Sequence, residues 1–175
     1  MEANKLKAMV LFVLNKVPEK CLGKHELFKI LYFASQKRLV KYGHAMITDF
    51  YAFKYGPVPS QLHNYFKSED NPVMLAINID EETSYILSPK EYPDMNELSK
   101  ADVRCLEESI SENYGLDFNE LTNKSHDSAW LKAWNNPSGR RGGKIDIVNI
   151  AFAAGADENT IEYIQEDLEL EAVLR

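Results

Sequence analysis

Cysteine occurs only twice in the 175 residues, at Cys21 and Cys105, and neither sits in a CxxC pair. A secreted-type disulfide framework is therefore excluded, and a reducing cytoplasm is the expected compartment. Long apolar runs are also missing, since none approaches the ~20 residues a membrane span needs. The apolar stretch near the start has Glu2 ahead of it and Lys16 behind it, and it lacks a small-residue cleavage site. It predicts an amphipathic helix and not a signal peptide. Basic residues are in the minority, 20 Lys and Arg against 27 Asp and Glu, for a net charge of -7. That balance is poor for holding a phosphate backbone except through a local patch.

Catalytic patterns are missing too. There is no GxGxxG and no P-loop sequence, which removes the common nucleotide-binding signatures. His25, His44, His63 and His126 are scattered, with no HxxxH and no histidine beside a cysteine pair, so no zinc site is assigned. Ser125-His126-Asp127 has triad composition, but three adjacent side chains diverge where a triad must converge, and no GxSxG elbow exists. Nothing near either cysteine would activate a thiolate, and Cys105 lies beside an apolar stripe, where it is expected to pack. Catalytic, cofactor-binding and metal-binding residues are accordingly none, and the expected role is not enzymatic.

What is present is the composition of one ordinary domain: 45% hydrophobic, 11% aromatic and 27% charged residues. A chain of this length buries enough surface to need no staples. Leu6, Val10, Val13 and Leu14 are spaced for a first helix that stops at Pro18, and Leu27, Ile30, Leu31 and Ala34 for a second that stops at Gly43. Residues 47–55 are β-branched and aromatic and predict a short strand, ended by Gly56-Pro57-Val58-Pro59. Residues 60–67 follow as a short helix burying Leu62, Tyr65 and Phe66, with Pro59 in its first turn. Residues 73–79 and 84–87 read as the strands of a hairpin joined by a polar loop. Ser99 with Asp102, and Asp117 with Glu120, have capping-box spacing, each with a flanking staple. Shorter helices are expected over residues 128–134 and 147–154, and a last one from Glu158 onward. The fold class is mainly α with a small β element, a short strand plus a β-hairpin, in a single domain. Helices followed by a hairpin are also the parts of a winged helix-turn-helix.

Two charged segments stand out. Gly139-Arg140-Arg141-Gly142-Gly143-Lys144 is the one concentrated basic element; it is either a solvated loop or a contact for a partner. Acidic residues crowd the last helix, including Glu162, Glu166 and Glu169, with Arg175 the sole counter-charge. Its apolar Ile161, Ile164, Leu168 and Val173 must cover something, either this chain or a partner. The acidic run is either a solvated face or a surface for a basic partner.

Three further pieces occur in order: Leu27-Phe28-Lys29-Ile30-Leu31-Tyr32-Phe33-Ala34; Tyr55-Gly56-Pro57-Val58-Pro59-Ser60; and Leu121-Thr122 with Ser125-His126 and Trp130. In these the sequence resembles the Panacea-domain proteins, which include the SocA-like antitoxins of bacterial and phage toxin–antitoxin pairs. The late piece departs from that pattern, carrying Asp127-Ser128-Ala129 where a proline-containing dipeptide is expected. The resemblance singles out Lys29, Tyr32, Tyr55, Gly56, Pro57, Val58, Ser125, His126 and Trp130 as structural or partner-binding residues. It implies residues 1–135 as the Panacea-like domain, 136–145 as a Gly/Arg-rich loop and 146–175 as a C-terminal helical extension. It also implies a cytoplasmic protein that binds and neutralises a cognate toxin, with no membrane partner, by blocking the toxin or by delivering it to a protease. Arg140, Arg141, Glu162, Glu166 and Glu169 are the expected toxin contacts. The competing expectation is a winged-helix DNA-binding regulator. Weak DNA binding and homo-oligomerisation stay open.

Overall fold

The computed structural model describes residues 2–83, 85–136 and 142–174. Along the chain run α1 (Ala3–Lys16), β1 (Leu22–Gly23), α2 (Lys24–Tyr42), β2 (Phe50–Phe53), β3 (Gly56–Pro59), α3 (Ser60–Tyr65), α4 (Pro72–Leu75), β4 (Ile77–Ile79) and β5 (Ile86–Pro89). A 3-10 turn at Met95–Glu97 leads into α5 (Lys100–Asn113), α6 (Phe118–Ser125), α7 (Ser128–Trp134), α8 (Ile147–Ala153) and α9 (Glu158–Val173). The protein is mainly helical with small antiparallel sheets.

Helices α1 and α2 are the centre of the core because their apolar residues run around most of the helix and not along one stripe. Every residue from Ala8 to Leu14 and from Leu27 to Ser35 is buried. α5 lies along α2, where the Ser109 hydroxyl donates to the Ile30 carbonyl at 2.7 Å. Buried Asp102 ties three elements together. Its carboxylate closes the Ser99 capping box and accepts Lys5 of α1 at 3.0 Å and Arg38 of α2 at 3.1 Å. Cys105 is fully buried beside Leu106.

Two sheets complete the frame. β1 pairs with β5 and β5 with β4, all antiparallel, so the residues just before α2 extend the hairpin to three strands. β2 and β3 form a second hairpin through Lys54 and Tyr55. Here the structure corrects two expectations. Gly56-Pro57-Val58-Pro59 does not merely stop a strand; it is one, with Pro57 opposite Ala52 and Pro59 opposite Phe50. Prolines fit there because the strand is an edge, where a missing N–H breaks no further ladder. Residues 72–75 are helical and not part of the expected strand, since Asn71 accepts the Met74 N–H at 3.1 Å as an N-cap and Pro72 starts the turn. The expected hairpin survives as the shorter β4–β5 pair.

The described end of the Gly/Arg-rich segment is anchored to β2. Ala52 N–H donates to Gly143 O at 3.0 Å and Ile145 N–H to Phe50 O at 2.8 Å. Gly142, at φ 100°, lies so close that a Cβ would strike the Ala52 carbonyl. The glycines there let backbone approach backbone. Among the described residues no helix is long and apolar enough to cross a membrane.

Candidate functional site

The turn of α2 that carries Lys29 faces the β2–β3 hairpin, and Lys29 is only 1% exposed. Its ammonium donates to the Pro57 carbonyl at 2.9 Å. Burial lowers the amine to about 7. The chain reaches this contact only through Gly56, at φ 101°. A Cβ at Gly56 would overlap the Ser125 hydroxyl and lie 2.8 Å from Lys29 Cε. Glycine is needed there on two counts, the left-handed backbone and the lack of space. Lys29, Gly56, Pro57 and Ser125 thus meet at one point, although 96 positions separate the first from the last in the chain.

Ser125 donates to Thr122 O at 3.0 Å, inside its own helix. The Thr122 hydroxyl hydrogen-bonds His25 Nε2 at 3.2 Å, and the His25 ring stacks on Phe118 at 4.1 Å. Burial and the charge of Lys29 depress His25 to about 4, so this imidazole is neutral at pH 7. Phe118 meets Tyr55 edge-on at 5.3 Å, and both rings are nearly half exposed.

A second knot is built on Asp127, the N-cap of α7. One carboxylate oxygen accepts the Trp130 N–H at 2.9 Å; the other accepts both the Tyr32 hydroxyl and the Gln36 amide at 2.8 Å. Burial and the Asp127 charge push the Tyr32 phenol up, so it is a hydrogen-bond donor at every ordinary pH. Trp130 donates its indole N–H to Phe53 O at 2.9 Å, fastening α7 to β2. His126 stacks face-on against Trp130 at 3.7 Å and Trp130 against Trp134 at 5.4 Å. Burial and Lys29 lower the His126 imidazole, and its Nε2 has no hydrogen-bond partner among the described residues.

Chemically this is a locked frame. Ser125, His126 and Asp127 aim at Thr122, Trp130 and Tyr32 respectively, not at one another. Among the described residues no three His, Cys, Asp or Glu side chains cluster so as to hold a metal.

A family model described as "Antitoxin SocA-like, Panacea domain" matches residues 27–131, more than half of the chain. The chain belongs to this family. No curated protein and no solved structure matches it.

The Panacea segment opens at α2 and closes within α7, so the three sequence pieces are its two ends and its middle brought into contact. Lys29, Tyr32, Gly56, Pro57, Ser125, His126 and Trp130 converge as described. Tyr55 sits at the rim, and Val58 is buried in β3 opposite Tyr51. Arg140 and Arg141 lie outside the described residues. Glu162, Glu166 and Glu169 are exposed on α9, which docks at the far end of α2 through Gly43 and His44. Sequence reasoning missed His25, Gln36, Phe53 and Phe118 as members of the site. It passed over Asp127 as well, although an Asp directly before a short helix is an N-cap signal. Phe53 enters through its carbonyl, which no side-chain pattern reveals.

Proposed function

We propose that this protein is a cytoplasmic antitoxin that binds and neutralises a co-encoded toxin by direct contact, without catalysis of its own. The observation that carries the reading is the Panacea match over residues 27–131, together with how its polar motif residues are used. Lys29, Tyr32, Ser125 and Trp130 each satisfy a partner within the chain, as scaffold residues do, which leaves recognition to the surfaces the scaffold presents. Neutralisation follows either from covering the toxin's working surface or from handing the bound toxin to a protease. Inducible expression of the adjacent open reading frame, with and without this protein, tests the reading. Growth arrest relieved by this protein, with co-purification of the two, is the expected result. Arrest that persists, or a neighbour that is harmless alone, overturns it.

A second reading, a winged-helix DNA-binding regulator, is favoured by one observation: the strand between the first two helices joins the later hairpin, giving the order β1-β5-β4. The charge on the helix that would read DNA works against it. α3 and the turn after it offer His63 and Lys67, with Gln61 and Asn64 as polar groups, a thin set for phosphate contacts. A low-salt gel shift on the upstream operon DNA separates the two readings, because tight, salt-sensitive binding belongs to the regulator.

A further inference from the structure

Helix α9 lies outside the Panacea segment and is held to it by little. Ile164 is its one fully buried side chain among the described residues, with Ile161 and Leu168 half-buried against the core. Orientation comes from a latch at the end of α2. The Tyr163 ring lies over Gly43, where a Cβ would come within 2.6 Å of it, and its hydroxyl hydrogen-bonds His44 Nε2 at 3.1 Å. His44 Nδ1 in turn lies 3.4 Å from the Asp167 carboxylate. The latch fixes which face of α9 points inward, and therefore which face is presented to solvent.

That presented face is not an ordinary polar one. Leu170, Val173 and Leu174, at i, i+3 and i+4, are 59%, 82% and 77% exposed. They form an apolar patch at the outer end of the helix that no described residue covers. Glu162, Glu166 and Glu169, at i, i+4 and i+7, make an exposed acidic ridge that runs along the same face and leads into this patch. Among the described residues α9 has no Lys or Arg to offset them. A presented helix face that is acidic along its length and apolar in its last turn fits a partner groove of complementary character. The charge selects the partner. A second copy would set like ridges side by side, which is unfavourable, whereas a groove rimmed by Lys and Arg matches in sign.

Resting on the antitoxin reading, we propose that α9 is the toxin-recognition helix: Leu170, Val173 and Leu174 enter an apolar groove of the toxin whose Lys/Arg rim pairs with Glu162, Glu166 and Glu169. The Panacea segment then serves as the platform, and α9 carries the partner specificity.

The test uses the full chain and the growth-inhibiting product of the adjacent reading frame. Two variants are compared with wild type: Leu170→Ser/Leu174→Ser, and Glu162→Lys/Glu166→Lys/Glu169→Lys. All five positions are solvent-facing, so circular dichroism and thermal melting are expected to match wild type, and Ile164→Ala reports separately on loss of α9 docking. Each variant is expected to bind the toxin at least about tenfold more weakly and to lose growth rescue, and wild-type affinity is expected to fall as salt rises. Folded variants that bind and rescue like wild type overturn the inference and leave the antitoxin reading standing. Wild type that neither binds nor rescues overturns both. Wild-type dimers that the leucine variants convert to monomers also overturn it, by assigning the face to a second copy.

Discussion

Lys29 and Gly56 occupy one another's space: the Lys29 ammonium reaches the Pro57 carbonyl at 2.9 Å only because Gly56 has no side chain. The contact joins α2 to the β2–β3 hairpin, and the Ser125 hydroxyl, against the same face of Gly56, brings in α6. Three distant stretches of chain thus share one small volume.

Gly56→Ala is therefore expected to destabilise the protein strongly. The added Cβ meets Ser125 and Lys29 at once, and φ 101° is strained for any L residue. Backbone strain of about 1–3 kcal/mol comes on top of the clash. A melting curve checks this, and an unchanged midpoint would mean that the turn rearranges without cost.

Lys29→Met is expected to change the pH dependence of stability more than stability itself. The folded amine, lowered to about 7, lies below the ordinary 10.5. Between those values the unfolded chain holds a proton that the folded chain lacks, so stability rises with pH across that window, by at most about 1.4 kcal/mol per unit. Below pH 7 both states are charged and the cost of burying the ammonium is fully present. Urea titrations at pH 6, 7.5 and 9 should show wild type gaining stability relative to the methionine variant. Parallel curves would place the Lys29 amine in solvent.

Asp127→Ala removes an N-cap and leaves the buried Tyr32 hydroxyl and the Gln36 amide without their acceptor. Loss of the cap costs about 1 kcal/mol and the stranded donors about 1–3 kcal/mol more. Tyr32→Phe deletes only one donor and is expected to cost about 1 kcal/mol. In the double variant the two losses should add to less than their sum, since the phenylalanine has no hydroxyl to strand. Strict additivity, measured by denaturant titration, would show that the pair is not coupled.

Much of the helical frame was legible because its signals are local. Both capping boxes, the span of α7 and the stop at Gly43 follow from residues within a turn of each helix end. The misreadings arose where tertiary contact outweighs local character. Residues 72–75 are apolar enough for a strand, yet Asn71 caps them into a helical turn. Gly56-Pro57-Val58-Pro59 looks like a breaker, yet it pairs with β2 because Lys29 and Asp49 satisfy its surroundings: Asp49 accepts the Ser60 and Gln61 N–H groups at 2.9 and 2.6 Å and so starts α3. The resemblance picked out Lys29, Tyr32, Ser125 and Trp130, but their partners are largely backbone carbonyls and a carboxylate far along the chain. Residue spacing carries no record of those.

Trp130 offers the cleanest separation of packing from hydrogen bonding in this frame. It and Trp134 stand one turn apart on α7 and stack on each other, but among the described residues only the Trp130 indole has an acceptor, Phe53 O at 2.9 Å. Trp130 is also the ring against which His126 lies at 3.7 Å. Trp130→Phe keeps an aromatic face but removes the indole N–H that holds the Phe53 carbonyl, and it shrinks a buried side chain. The expected loss is about 1–3 kcal/mol. Trp134→Phe shrinks a half-buried ring and strands no acceptor among the described residues, so its loss should stay below about 1 kcal/mol. Each variant keeps one tryptophan, so fluorescence-detected unfolding follows both, and the ordering of their midpoints decides the matter. If Trp134→Phe proves the more damaging, the indole bond to β2 is not what fastens α7 to the hairpin.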